Sequence, residues 1–118
     1  MASKHLLVLV LFVIGATITQ ATMPVTIPIS NVTDPKIQYI GSFAVDEYNK
    51  LGQSHLIFKE VIGGHVFFYP PSAAVDYYVD LMAINCSHSG ALGNYTAQVL
   101  EVSSIKTYYF KELKPKQT

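Results

Sequence analysis

A single amphipathic segment, predicted as a helix over residues 35–51, constrains the fold more than any other part of the chain. Asp34 is suited to cap the first N–H groups, and Pro35 fits the first helical position, where its missing N–H costs nothing. Gly52 supplies a left-handed stop after the last turn. Apolar or small residues recur three, four or seven positions apart, the period of one helical face. These residues are Ile37, Ile40, Gly41, Ala44, Tyr48 and Leu51.

Gly41 lies inside this apolar stripe, where a stronger helix former would normally stand. A glycine at such a position is typical of a helix that another backbone crosses closely. We therefore expect a sheet to wrap around the helix at Gly41. The aromatic and aliphatic helix residues Phe43, Ala44, Val45 and Tyr48 are interpreted as packing residues.

The rest of the chain is predicted to form mainly strands. Residues 23–29 alternate but contain two prolines, so they predict an edge strand at best. Further strands are expected at residues 56–62, 65–69, 75–84, 95–102 and 105–113, with a bulge or turn at residues 63–64 and a polar loop over residues 85–94. Alternation places Tyr95, Ala97, Val99 and Glu101 on one face. One helix followed by hairpin-connected strands predicts an α+β fold.

The N-terminus has the pattern of a secretory signal peptide. Lys4 precedes an apolar run at residues 6–14, and small residues stand before a cleavage point after Ala21. We expect residues 1–21 to be removed, leaving one domain at residues 22–118 that is secreted to the extracellular space, vacuole or apoplast. The apolar run is too short to span a bilayer, so no membrane association is expected. Three sequons are candidate glycosylation sites, at Asn31, Asn85 and Asn94.

Charge and cysteine content argue against several function classes. Eight basic and eight acidic residues balance, there is no arginine, and the basic residues form no patch suited to nucleic acid. Cys86 is the single cysteine, so no intramolecular disulfide forms. Its surroundings lack the spacing of a nucleophile with a base, and the histidines lack metal-ligand spacing. We expect no enzyme activity, no metal and no cofactor.

Several segments resemble plant cystatins, the phytocystatins. Residues 40–50, Ile-Gly-x-Phe-Ala-Val-x-Glu-Tyr-Asn-Lys, are similar to the family's helix signature, and residues 28–35 are similar to its lead-in. Residues 77–81, 95–99 and 110–115 are similar to the later strands. The resemblance implies a cystatin-like fold, with one N-terminal helix packed against a four- to five-stranded antiparallel sheet. It also implies a secreted inhibitor whose partner is a papain-like cysteine protease.

In that family three segments block the protease cleft. They are a glycine-bearing N-terminal trunk, a first hairpin loop of the form Gln-x-Val-x-Gly, and a second hairpin with Pro-Trp. Here no glycine lies between Thr22 and Ile40, and the chain has no tryptophan. The second loop is expected near Ser103 and Ser104.

The first loop has competing placements. Residues 60–64 resemble the motif's shape. Counting forward from Phe58 places the loop at residues 67–71, and counting back from the strand that contains Tyr77 and Tyr78 places it at residues 70–74. We take the last placement as the prediction because a loop is expected at the diproline, and the Gln-x-Val-x-Gly motif is then absent. The protease-binding candidates are Pro28, Phe67, Phe68, Tyr69, Pro70, Pro71, Ser103 and Ser104. The alternative first loop is Glu60, Val61, Ile62, Gly63 and Gly64.

Two function hypotheses follow. The first is a secreted inhibitor that occludes the active-site cleft of papain-like proteases with the trunk and both hairpin loops. The second is a non-inhibitory secreted binding or structural module of the same fold. An exposed aromatic hairpin tip aligned with the trunk would favour the inhibitor. A monomer is expected, and a strand-swapped dimer is the alternative that the resemblance allows.

Overall fold

The computed structural model describes residues 24–52 and 54–117. It contains one helix and one five-stranded antiparallel sheet, with the strands in chain order from edge to edge. The elements are β1 (Val25–Pro28), α1 (Pro35–Asn49), β2 (Leu56–Phe68), β3 (Ala74–Asn85), β4 (Ala91–Val102) and β5 (Thr107–Pro115). The predicted cystatin-like α+β fold is confirmed. The proposed signal peptide at residues 1–21 lies outside the described residues.

The start of α1 has the expected chemistry. The Asp34 carboxylate accepts a hydrogen bond from the Lys36 N–H at 2.9 Å, and Pro35 occupies the first helical position. The helix ends at Asn49, two residues earlier than predicted, and Gly52 follows with a left-handed φ of 81°. Ile37, Ile40, Ala44 and Val45 are buried against the sheet, while Phe43 and Tyr48 pack at its border.

The close approach expected at Gly41 is present between α1 and β2. A Cβ built on Gly41 would lie 2.9 Å from Cε1 of Phe58 and would also overlap Cγ2 of Val61. Val61 is fully buried, so it has little room to move away. Glycine is therefore required at this crossing because any side chain would push β2 off the helix.

The strand β2 bends around α1 through two bulges. Its pairing with β3 shifts between Phe58 and Glu60 and again between Val61 and Gly63. Between the bulges, the side-chain amide of Gln38 in α1 accepts a hydrogen bond from the Val61 N–H at 3.0 Å and donates to the Val61 carbonyl at 3.1 Å. A bulge leaves backbone groups without a ladder partner, and Gln38 satisfies them.

Polar contacts fix the two ends of α1 at opposite ends of the sheet. At its C-terminus, the Asn49 side chain accepts from the Leu56 N–H at 2.9 Å and donates to the Leu56 carbonyl at 2.8 Å. At its N-terminus, the Lys36 ammonium lies 3.0 Å from Oε1 of Glu101, and the Tyr77 hydroxyl donates to the same oxygen at 3.0 Å. Glu101 is only 7% exposed, so this carboxylate depends on its two donors.

This buried group of charges changes the acid–base behaviour of its members. Burial raises the pKa of Tyr77, and the hydrogen bond to Glu101 raises it further against the opposing influence of Lys36. Partial burial lowers the pKa of Lys36, but its hydrogen bonds to Glu101 and Tyr77 outweigh that and raise it overall. The arrangement therefore favours a neutral phenol and a charged ammonium.

Of the two structures predicted for residues 63–64, the bulge is confirmed and the turn is not, because β2 runs continuously to Phe68 with a register shift between Val61 and Gly63. Two strand starts differ from the prediction, since β5 begins at Thr107 rather than at residue 105 and β4 begins earlier than predicted. The strand β4 begins at Ala91, so the loop predicted over residues 85–94 is reduced to a tight turn at residues 86–90. The small, polar and glycine-bearing composition of residues 85–94 favoured a loop, although the backbone of residues 91–94 pairs fully with β3. The described residues contain no helix that is both long and apolar enough to cross a membrane.

Gly41→Ala is expected to reduce the free energy of unfolding by about 1–3 kcal/mol, because overpacking against Val61 and Phe58 outweighs the higher helix propensity of alanine. Chemical denaturation followed by circular dichroism measures the change. Asp46→Ala, at an exposed position of the same helix, is the matched control and should be neutral or slightly stabilising. Equal stability of the two variants would contradict the required close approach.

Alkaline pH is expected to weaken the fold through Tyr77. Since the folded-state pKa of Tyr77 is raised, its contribution to stability is fully present below the unfolded-state value of about 10 and is lost as pH rises through the folded-state value. Tyr77→Phe should flatten the decline in the free energy of unfolding between about pH 9 and 11. Urea titrations across that range measure the slope. Tyr109→Phe, at an exposed tyrosine, controls for the loss of a phenol, and identical slopes in both variants would refute the prediction.

Candidate functional site

Three separate segments meet at one end of the sheet. Val25, at the start of β1, pairs with Phe68, at the end of β2, and Phe68 pairs in turn with Val75 of β3. The β2–β3 turn at residues 69–73 and the β4–β5 turn at residues 103–106 project from this same end. We call Val25 together with these two turns and Phe68 the wedge end.

The wedge end exposes several apolar side chains. Val25 is 48% exposed, Phe68 36% and Ile105 60%, and both prolines of the β2–β3 turn are also exposed. The burial of such groups against a partner contributes about 25 cal/mol per Å² of apolar area. An apolar edge formed by three segments is the kind of surface that binds a protein cleft.

Hydrogen bonds order both turns and join them directly. In the β2–β3 turn, the Ser72 N–H donates to the Tyr69 carbonyl at 2.7 Å. In the β4–β5 turn, the Ile105 N–H donates to the Val102 carbonyl at 3.2 Å. The Ser103 N–H donates to the Ala73 carbonyl at 3.1 Å, which connects the two turns. The two tips therefore form one continuous edge.

The wedge end carries little charge. Lys106, at the end of the β4–β5 turn, is the one charged residue in the two turns, and its φ of 50° lies in the left-handed region. Burial raises the pKa of Tyr69, and the nearby carboxylate of Asp76 raises it further. Tyr69 is therefore a neutral hydroxyl near neutral pH, and the two tips can enter an apolar cleft at little desolvation cost.

Most of the predicted protease-binding residues lie at the wedge end, but Pro28 and Phe67 do not. Tyr69, Pro70 and Pro71 form the tip of the β2–β3 turn, and Ser103 and Ser104 form that of the β4–β5 turn. Phe68 is the last residue of β2 and borders the tip. Pro28 is the last residue of β1 and pairs with His65. It lies three residues after Val25 and therefore away from the wedge end.

Phe67 belongs to a different surface, the face of the sheet turned away from α1. Its ring packs edge-on against His65 and Tyr78, with both centroids at 5.0 Å, and His65 stacks on Tyr78 at 5.4 Å. Strand alternation explains this, because neighbouring residues of a strand point to opposite faces. Phe67 and Phe68 therefore point to opposite faces of the sheet.

The alternative first loop is not a turn. Glu60, Val61, Ile62, Gly63 and Gly64 lie in the interior of β2, and the hairpin reverses at residues 69–73 instead. Gly64 has a φ of 134°, and a Cβ built on it would come within 2.9 Å of the Val79 Cα. The glycines that resemble an inhibitory motif thus accommodate the β3 backbone and the bulge.

The remaining candidate residues lie away from the wedge end. Asn31 precedes α1, Asn85 ends β3, and Asn94 lies exposed in β4 rather than in a loop. Cys86 is exposed in the β3–β4 turn at the opposite end of the sheet. Within residues 24–52 and 54–117, no three His, Cys, Asp or Glu side chains are close enough to hold a metal ion.

Two wedge-end residues were absent from the sequence-based candidates. Val25 lies in the predicted edge strand at residues 23–29, and its alternation with Ile27 is the signal that marks an exposed apolar strand residue. Ile105 was assigned to the last strand, but it lies in the turn because β5 begins only at Thr107. An isolated isoleucine between serines and a lysine was the available signal for an exposed apolar tip.

Comparison with known proteins agrees with a cystatin-like fold. A 37-residue segment is 60% identical to Cysteine proteinase inhibitor 5 of Arabidopsis thaliana, and it covers 31% of this chain and 30% of that relative. The matched segment therefore spans less than a third of the relative's length. A family model described as aspartic acid proteinase inhibitor matches residues 29–114, which include α1, β2, β3, β4 and both turns of the wedge end. From this match over most of its length, the chain belongs to the aspartic acid proteinase inhibitor family, a group of cystatin-like protease inhibitors.

Proposed function

We propose that this protein is a secreted inhibitor of papain-like cysteine proteases that reversibly occludes the active-site cleft with its wedge end. The observation that carries the proposal is the alignment of Val25, Phe68 and both turns on one exposed, apolar edge. An exposed aromatic residue paired with the trunk is the feature expected of the inhibitor rather than of the non-inhibitory module.

The physical basis of such inhibition is shape and preorganisation. Occlusion of a cleft requires no nucleophile, base or metal from the inhibitor. The two turns of the wedge end are joined by the Ser103–Ala73 hydrogen bond, so docking orders few additional groups and loses little conformational entropy. The apolar side chains of Phe68 and Ile105 would provide the buried area, and the prolines of the β2–β3 turn would limit its flexibility.

Because this chain lacks the tryptophan and the trunk glycine of phytocystatins, other residues would have to make the corresponding contacts. Phe68 and Ile105 would replace the apolar contacts that a tryptophan provides in phytocystatins, and Tyr69 would contact the cleft beside the catalytic cysteine. Pro24 and Pro28 would stiffen the trunk where the family has glycine. Similarity to a relative named as a cysteine proteinase inhibitor supports this choice of target class.

A second candidate target is an aspartic protease. The description of the family model, aspartic acid proteinase inhibitor, favours it, and that model matches far more of the chain than the Arabidopsis segment does. The same edge would then occupy the substrate cleft over the catalytic carboxylates. The charge of Lys106, the one cation in the two turns, would suit such an acidic cleft.

Inhibition of papain and of pepsin, measured in parallel over a concentration series of the purified protein, tests the proposal. We expect inhibition of papain, and we expect Phe68→Asp and Tyr69→Asp to weaken it at least tenfold, because a charge in the contact must be desolvated. Ile57→Asp is the matched control. It introduces the same charge at an exposed apolar position of β2 at the opposite end of the sheet, and it should inhibit like the unmodified protein.

Each outcome separates the hypotheses. Inhibition of pepsin alone would replace papain-like proteases with aspartic proteases as the target class. Equal inhibition by all three variants would refute the role of the wedge end. A folded protein that inhibits neither papain, pepsin nor a wider panel of both classes would leave the non-inhibitory binding module as the function.

A further inference from the structure

The buried carboxylate of Glu101 lies just below the wedge end. Glu101, on β4, is two residues before Ser103, and it pairs across the sheet with Val75, the second residue of β3. Its side chain turns inward and is 7% exposed, among the apolar residues that contact α1. A charged side chain at a core-facing position is costly unless a specific arrangement compensates for it.

Donors from two other elements compensate for it. Lys36 reaches Glu101 from the first turn of α1, and Tyr77 reaches it from β3, both at 3.0 Å from the same oxygen. The Lys36 ammonium also lies 5.7 Å from the centre of the Tyr77 ring. On the far side, Tyr108 of β5 packs on Tyr39 and Phe43 of α1, with centroids at 5.5 and 6.0 Å. The strands β3, β4 and β5, which lead into the two wedge-end turns, are therefore held against α1 by these contacts.

We propose that Glu101 is a positioning residue, whose contacts with Lys36 and Tyr77 hold the β4–β5 turn in place against the β2–β3 turn. Buried ionic contacts add little net stability compared with apolar packing, but they select one arrangement because their partners must meet at defined points. Here that arrangement sets the separation of the two tips. The consequence for protease binding rests on the function proposed above.

The direct reporter of this positioning is the Ser103 amide, whose N–H donates to the Ala73 carbonyl between the two turns. A matched reporter exists at the opposite end of the sheet, where the Cys86 N–H donates to the His55 carbonyl at 2.9 Å. Asn49 is the polar contact of α1 beside that second reporter, through its two hydrogen bonds to Leu56. The contact of α1 with Glu101 and the contact of α1 with Leu56 are therefore comparable. The Ser103 amide reports on the first, and the Cys86 amide reports on the second.

Amide hydrogen exchange of the free protein, measured by NMR, tests the proposal without reference to any protease. In Glu101→Gln and Lys36→Met, we expect exchange at Ser103 to accelerate about tenfold relative to Cys86, because local opening of the wedge end becomes easier. In Asn49→Ala, exchange at Cys86 should instead accelerate relative to exchange at Ser103. Lys36 is exposed along much of its side chain, so Lys36→Met remains informative if Glu101→Gln does not fold.

Inhibition supplies the second readout. Against whichever of papain and pepsin the unmodified protein inhibits, Glu101→Gln should raise the inhibition constant about tenfold, and Asn49→Ala should leave it unchanged. Equal acceleration of Ser103 and Cys86 in the Glu101 and Lys36 variants would reduce Glu101 to a general stabiliser and overturn the proposal. Selective acceleration of Ser103 in a protein that inhibits neither enzyme would support the positioning role and defeat only the proposed function.

Discussion

The fold depends on the close crossing of α1 and β2 at Gly41. The absence of a Cβ there allows Val61 and Phe58 to pack directly on the helix backbone. Gln38 then reaches the Val61 backbone, and the bulges of β2 curve the strand around the helix. Every later strand pairs with its predecessor in order, so the curvature of β2 passes to the whole sheet. The missing methyl group at Gly41 thus allows α1 and β2 to pack closely.

The polar contacts of α1 give this architecture two fixed ends. Asn49 binds the backbone where β2 begins, and Lys36 meets Glu101 where β3 and β4 approach the wedge end. Between them the interface is tightly packed and apolar apart from Gln38, and apolar packing favours burial without selecting an exact position along the helix. The directional contacts of Asn49 and Lys36 select that position. The buried side-chain polar atoms of the described residues all have partners, so these contacts carry no uncompensated cost.

Local patterns in the sequence were sufficient for the helix, for the close approach at Gly41 and for an antiparallel sheet of hairpin-connected strands. The misplaced boundaries have a shared cause. Residues 91–94 and Ile105 have neither the composition nor the alternation that distinguishes a strand from a turn, and only pairing with β3 or β5 settles their state. Tertiary pairing also decides that Gly63 and Gly64 belong to a bulged strand, despite their likeness to a loop motif.

The candidate site was less accessible from the sequence than the fold. The diproline turn and Ser103–Ser104 were recognisable as hairpin tips because proline and serine disfavour strand continuation. Their alignment with Val25 is a property of the sheet register, which no short segment encodes. Alternation did place Glu101 on the same face as Tyr95, Ala97 and Val99. Its partner Lys36 lies far away in sequence, so their contact emerges only in three dimensions.

The two bulges of β2 have a consequence for how this chain can change in length. Each bulge reverses which face the following residues point to, and the second reversal cancels the first. The two extra residues together keep Leu56 and Phe68 on the same side of the sheet. Loss of one extra residue, Lys59 or Ile62, would restore a regular ladder at that bulge and leave Phe68 opposite Val75 at the wedge end. The bulges therefore allow the length of β2 to change by one residue without exchanging Phe68 and Phe67.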